Sequence, residues 1–230
     1  MITNFTIFGE RCSGTHYVEQ LILANFNVKV TFKYGWKHFY GFNSLGNSDN
    51  TLFVCVVRDP AKWINSLYRT PHHVCKECTT SIPNFLNKEF GSDPNTWNCR
   101  LYYGPHYKFF GQDRNIYTKQ KYKNIFEMRH VKLRFLIDDV PQKVKHYILI
   151  RYEDLLTDFE KTMTQLKDAG LTVNTSIQFP VNIDEYLVGN SVEKAYPKFT
   201  PNVKTDTISR ERIINHPNFK RGYEKRLRYI

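Results

Sequence analysis

Gly9-Glu10-Arg11-Cys12-Ser13-Gly14-Thr15-His16 is the stretch whose residue types and spacing speak most directly of chemistry. It follows a short apolar run, Phe5–Phe8, and opens onto Tyr17, Val18, Leu21 and Ile22, which recur at helical spacing. A strand, a glycine-bounded loop and a helix start present successive backbone N–H groups and the positive end of a helix dipole to an anion, and phosphate suits such a cradle. The glycine spacing equals that of a Walker A loop, yet Thr15 and His16 stand where that motif has Lys and Ser or Thr. The lysine serves the β- and γ-phosphates and the hydroxyl serves magnesium. Their loss argues against ATP or GTP hydrolysis and suits a phosphate held without a metal.

Two further groups carry possible chemistry. Arg58 is followed eight residues later by Ser66, a guanidinium fork and a hydroxyl suited to phosphate oxygens, although an Arg paired with a carboxylate beside a solvent-facing Ser reads equally well. Cys75 and Cys78 have zinc-ligand spacing, which His72, His73 or Cys99 would complete. No second Cys-x-x-Cys accompanies them, so free thiols and loop histidines are the expectation there, and no metal is expected.

The elements that must position these groups follow from periodicity. Val28–Phe32 alternates and predicts a second strand, and Gly41–Asn50 predicts a loop. Leu52-Phe53-Val54-Cys55-Val56-Val57 is a continuous apolar run that predicts a central parallel strand covered on both faces. Asp59 is a good N-cap and Pro60 fits the first helical position, so a helix buries Trp63, Ile64, Leu67 and Tyr68. Arg58 is thereby set at the carboxyl end of a central strand, where open α/β sheets bind ligands. A helix from Tyr122 is expected to end at Pro141, Tyr147–Ile150 forms the next buried strand, and a helix from Leu155 runs to a C-cap at Gly170. The basic tail carries Lys220, Arg221, Lys225, Arg226 and Arg228. It suits a solvated helix or a further hold on an anion.

The whole chain is 230 residues, enough for one α/β domain with a full core. Lys plus Arg is 33 and Asp plus Glu is 22, giving a net charge of +11 that favours anionic partners without choosing among them. No apolar run reaches the ~18 residues of a membrane span, and with five cysteines and no leader a cytoplasmic, reducing compartment is expected. Residues 71–121 are irregular and aromatic, which suggests an insertion over the active edge that binds a second substrate.

Three segments together resemble one family. GERCSGTHY after the first strand, VVRDPAKWINS after a later one and ILIRYEDLL after the next are similar, in this order, to the sulfotransferases that use 3′-phosphoadenosine 5′-phosphosulfate (PAPS). The first resembles their phosphosulfate loop, the second their 3′-phosphate motif. The resemblance implies a three-layer P-loop NTPase-like α/β fold with a central parallel sheet. It implies PAPS as donor, 3′-phosphoadenosine 5′-phosphate (PAP) as product, and no catalytic metal. Residues 11–16 of the loop, namely Arg11, Cys12, Ser13, Gly14, Thr15 and His16, would then hold the donor with Arg58 and Ser66. The family's usual loop has Lys or Arg directly before Ser-Gly-Thr. Here Cys12 takes that position, so either Arg11 or Lys37 supplies the cation. The family's general base, a His or Glu after the second strand, maps to His38, with His16, His72 and His73 as alternatives. The acceptor would be a glycan, a small alcohol or phenol, or a protein tyrosine. Trp63 and Tyr223 are candidates for stacking the adenine. The competing readings are a basic nucleotide- or RNA-binding module on a degenerate P-loop scaffold, and a kinase with a divergent loop. No specific nucleic acid is expected.

Overall fold

A computed structural model describes residues 1–92, 111–183 and 207–230, together with the backbone of two short strands, β5 (Tyr186–Leu187) and β6 (Ala195–Tyr196). Cys99 and His106, and with them the middle of the suspected insertion, lie outside the described residues. Four strands form an all-parallel sheet in the order β2-β1-β3-β4: β1 (Asn4–Gly9), β2 (Lys29–Val30), β3 (Thr51–Val57) and β4 (His146–Arg151). β3 is buried at every position, as its unbroken apolar run requires. Its alternation divides the core: Phe53, Cys55 and Val57 face one cluster, while Leu52, Val54 and Val56 face the other.

Helices cover both faces. On one, α1 (Thr15–Asn25) buries Tyr17, Val18, Leu21 and Ile22. On the other, α2 (Pro60–Arg69) buries Trp63, Ile64 and Leu67. The Asp59 carboxylate caps α2 by accepting from the N–H groups of Ala61 and Lys62, and Pro60 stands where no N–H is needed. Two short helices follow, α3 (Lys76–Thr79) and α4 (Ile82–Asn87), then α5 (Ile125–Arg134), α6 (Val140–Lys143), α7 (Asp154–Thr157) and α8 (Phe159–Asp168). Met163 and Leu166 of α8 join Ile22 of α1 in one core. The C-terminal α9 (Arg210–Ile214) and α10 (Arg221–Arg226) pack on the opposite side. No helix among the described residues is long and apolar enough to cross a membrane.

Three expectations change. The second strand is two residues long, although the Thr31 N–H still reaches the Phe5 carbonyl at 2.8 Å. Pro141 does not end its helix: a π-helical turn over Phe135–Asp139 follows α5, and Pro141 then sits in the first turn of α6, where its missing N–H is harmless. Cys75 and Cys78 are joined in a disulfide and are not free thiols.

Because β2 is added on one side of β1 and β3 on the other, all of them parallel, the order in which strands are laid down reverses between β1 and β3. Their carboxyl ends therefore flank a crevice, the place where open parallel sheets receive ligands. The Gly9–Gly14 loop leaves one of these ends and Arg58 leaves the other.

Candidate anion site at the carboxyl edge of the sheet

The loop is tightly built. A Cβ at Gly9 would lie 2.7 Å from both Thr15 Cγ2 and the Val56 carbonyl, so nothing larger fits. Cys12 (φ 63°) and Gly14 (φ 93°) are left-handed while Ser13 between them is not, an alternation that turns successive N–H groups toward one concavity. Gly14 also rests against the Tyr152 ring, whose Cδ2 would be 2.2 Å from a Cβ there. Gly14 precedes α1, and no side chain caps that helix. Ser13 is 2% exposed, and its hydroxyl has no hydrogen-bond partner among the described residues.

Arg58 and Ser66 come to this loop. Arg58 Nη1 donates to the Cys12 carbonyl at 2.9 Å, and its guanidinium lies 4.7 Å from the Tyr152 ring centre. No carboxylate pairs with Arg58 among the described residues. Burial holds the Cys12 thiol above its ordinary pKa, against the hydrogen bond from Ser66 and the nearby arginines.

Arg11 turns the other way. It is 1% exposed and donates to Asp113 Oδ2 (2.9 Å), Ser92 Oγ (2.9 Å) and the His72 carbonyl (3.2 Å), with Phe39 and Phe90 rings on either side. Lys132 completes a buried cluster by binding Glu10 Oε1, Asp113 Oδ1 at 3.3 Å and the His38 carbonyl at 2.8 Å. The four charges Glu10, Arg11, Asp113 and Lys132 cancel. Burial alone would raise the Asp113 carboxyl, but Arg11 and Lys132 outweigh it and bring it down to about 2.

His38 is joined to the strand end in both directions. The Gly9 N–H donates to the Lys37 carbonyl (2.9 Å), and His38 Nδ1 meets the Gly9 carbonyl at 2.8 Å. A carbonyl only accepts, so Nδ1 carries the proton and Nε2 keeps its lone pair. Burial and the Lys37 charge push this imidazole well below its usual pKa, against the pull of the Gly9 bond, so it is neutral at pH 7. Lys37 is shared between Glu19 Oε2 (3.2 Å) and His16 Nδ1 (3.3 Å). His16 is lowered to about 4 by burial and then by Lys37.

The loop, Arg58, Ser66, Lys37 and His38 are thus contiguous, whereas the other candidates are placed elsewhere or already engaged. Trp63 is fully buried, with its indole N–H on the Arg11 carbonyl at 2.8 Å, and so cannot stack a base. Tyr223 bonds Asp138, and Arg226 pairs with Asp138 at 2.7 Å, tying part of the basic tail to the π turn that follows α5. His73, lowered to about 3 by burial and by Arg11, belongs with His72 to the segment behind Arg11. Among the described residues no three His, Cys, Asp or Glu side chains group as a metal site. Sequence reasoning missed Asp113, Lys132 and Tyr152. Only Tyr152 carried a signal, as the second residue of the segment that leaves β4. No protein-family model, no curated protein and no solved structure matches the chain.

Proposed function

We propose that the chain is a sulfotransferase with a P-loop-like fold, moving a sulfuryl group from PAPS to a hydroxyl or amine acceptor. The observation that carries this reading is Arg58. It is a half-buried guanidinium with no carboxylate partner among the described residues, lying against a left-handed glycine loop at the reversal point of the sheet. Such a charge suits the 3′-phosphate that separates PAPS from ATP, with Ser66 beside it.

In this reading the N–H groups of the loop, with Ser13 and Thr15, take the 5′-phosphosulfate. Arg11 is already matched by Asp113, so the movable cation is Lys37, which exchanges its contact with Glu19 for the sulfuryl oxygens. His38 Nε2 accepts the acceptor's proton. The new bond forms between the acceptor oxygen or nitrogen and sulfur. The bond from sulfur to the 5′-phosphate oxygen breaks, and its electron pair leaves with PAP. Positioning and charge stabilisation do most of the work in such in-line transfers.

The test is transfer of radiosulfur from labelled PAPS to a panel of glycans, phenols and tyrosine peptides, scored together with PAP release. Label on one acceptor class is expected. No PAP release with any acceptor, from protein shown to be folded, would contradict the proposal.

A further inference from the structure

Beneath the loop, between the ends of β1 and β3 and α5, lies a cavity of about 20 Å³ whose lining includes Glu10, Ser13, Tyr40, Arg58, Val57 and Leu133. Arg129 and Lys132 line it too and are already engaged, by Glu224 and by Glu10 and Asp113, whereas four lining residues each have a buried atom with no hydrogen-bond partner among the described residues: Glu10 Oε2, Ser13 Oγ, the Tyr40 hydroxyl and Arg58 Nε. Glu10 Oε2 has Arg11 Nη2 only at 3.9 Å, beyond hydrogen-bond reach. Buried polar groups in folded proteins are almost always satisfied, and four orphans around one cavity point to a shared partner.

We infer that this partly open cavity is a binding site for one ordered water, which ties the loop to Tyr40 and Arg58. The donor and acceptor inventory matches. Arg58 Nε–H can only donate and the Glu10 carboxylate can only accept, while the two hydroxyls can do either. Water accepts from Arg58 and one hydroxyl, and donates to Glu10 and the other. The size matches as well, since a site needs on the order of 10–15 Å³ to hold a single water. A phosphate or sulfate is too large for a space of about 20 Å³. A cation would face Arg58 and Lys132. Lys132 itself has no ammonium hydrogen to spare, being committed to Glu10, Asp113 and the His38 carbonyl.

The water adds a side-chain link between two regions already joined through the backbone, where the Ser13 N–H donates to the Glu10 carbonyl at 3.1 Å. Glu10 belongs to the buried charge cluster, and Ser13 and Arg58 belong to the anion site. One bound molecule thus holds the loop hydroxyl and the guanidinium in register with the charges below. The site does not depend on the identity of the donor and stands if the sulfotransferase reading fails.

The test is a high-resolution crystal structure of the ligand-free protein, with unfolding measurements in solution. A single water peak within hydrogen-bond distance of at least three of the four atoms is expected. A dry cavity, or an anion in it, overturns the inference. In urea unfolding, Ser13→Ala and Tyr40→Phe are combined with the double variant. These two residues share no direct hydrogen bond among the described contacts, so a common water makes their effects couple, by about 2-fold or more in the folding constant. Strictly multiplicative effects overturn the inference. Should Tyr40→Phe fail to fold, Arg58→Lys, which deletes the Nε donor, replaces it in the cycle and is read the same way.

Discussion

Arg11, within the short loop, and Arg58, which reaches the loop from the end of β3, illustrate two uses of one side chain. Arg11 is enclosed by Asp113, Ser92 and the His72 carbonyl, and Glu10 and Lys132 bring the cluster to neutrality. Arg58 has a carbonyl and an aromatic ring for company but no counter-charge among the described residues. A guanidinium that is already matched contributes rigidity, whereas an unmatched one at the ligand edge of a sheet attracts an anion. In the proposed reading the lower cluster is the foundation of the loop and the upper rim is its working face. His38 belongs to both, since its carbonyl accepts from Lys132 while its ring faces the rim of β1.

The sharpest way to break this contrast is Arg11→Ala. It leaves Asp113 buried with Lys132 as its remaining ionic partner, and removing one member of a buried ion pair costs about 3–5 kcal/mol. Urea unfolding is expected to show a loss of that size, or no folded protein, while Arg58→Ala changes stability by less than about 1 kcal/mol. Similar losses for both would erase the distinction. Next in size is His38→Ala, expected to keep donor affinity and to lower transfer by roughly 10²–10⁴-fold, the usual contribution of a general base. Transfer kinetics beside donor titrations check it, and wild-type turnover would remove His38 from the chemistry. Arg58→Ala itself should cost about 1.5–3 kcal/mol of PAP binding, the range for hydrogen bonds to charged groups, with little loss for adenosine 5′-phosphate. Calorimetry of the two ligands separates these outcomes.

The smallest effect is in pH dependence. His38 and His16 have folded pKa values below the unfolded ~6.5, so the unfolded chain binds more protons as pH falls. Their contribution is whole above pH ~6.5 and is lost as pH falls toward their folded values, about 4 for His16. Asp113 acts lower: its contribution is present above the ordinary carboxylate range and is lost as pH falls through about 2. Urea midpoints are thus expected to decline from about pH 6.5 downward, and His16→Gln should flatten part of that decline. A flat response between pH 6.5 and 4 would show that these histidines are not held neutral.

The elements of the fold were largely legible in the sequence, because each rests on local pattern. Phe5–Phe8, the Leu52–Val57 run, Asp59-Pro60 and Tyr147–Ile150 gave three strands and a helix start that differ from the structure by a residue or two. What local pattern could not carry is the partner of a charge. Asp113 is 102 residues from Arg11, and Lys132 is 122 residues from Glu10. No spacing rule links such positions, so an Arg in a glycine loop reads as a ligand cation whether or not a carboxylate awaits it below. The expected helix end at Pro141 failed for another reason: a π turn over Phe135–Asp139 re-phased the backbone, so the helical chain runs on with the proline in the first turn of α6. Trp63 was expected on the buried face of its helix and was also a candidate for stacking the adenine. Its indole instead closes the core under Arg11.

The most direct test of the central claim is a calorimetric titration of the wild-type protein with PAP, set against ATP and adenosine 5′-phosphate, without magnesium. Micromolar binding of the bisphosphate alone, about −8 kcal/mol, is the expected result. Equal binding of all three, or of none, would contradict a 3′-phosphate site at Arg58 and with it the proposed reaction.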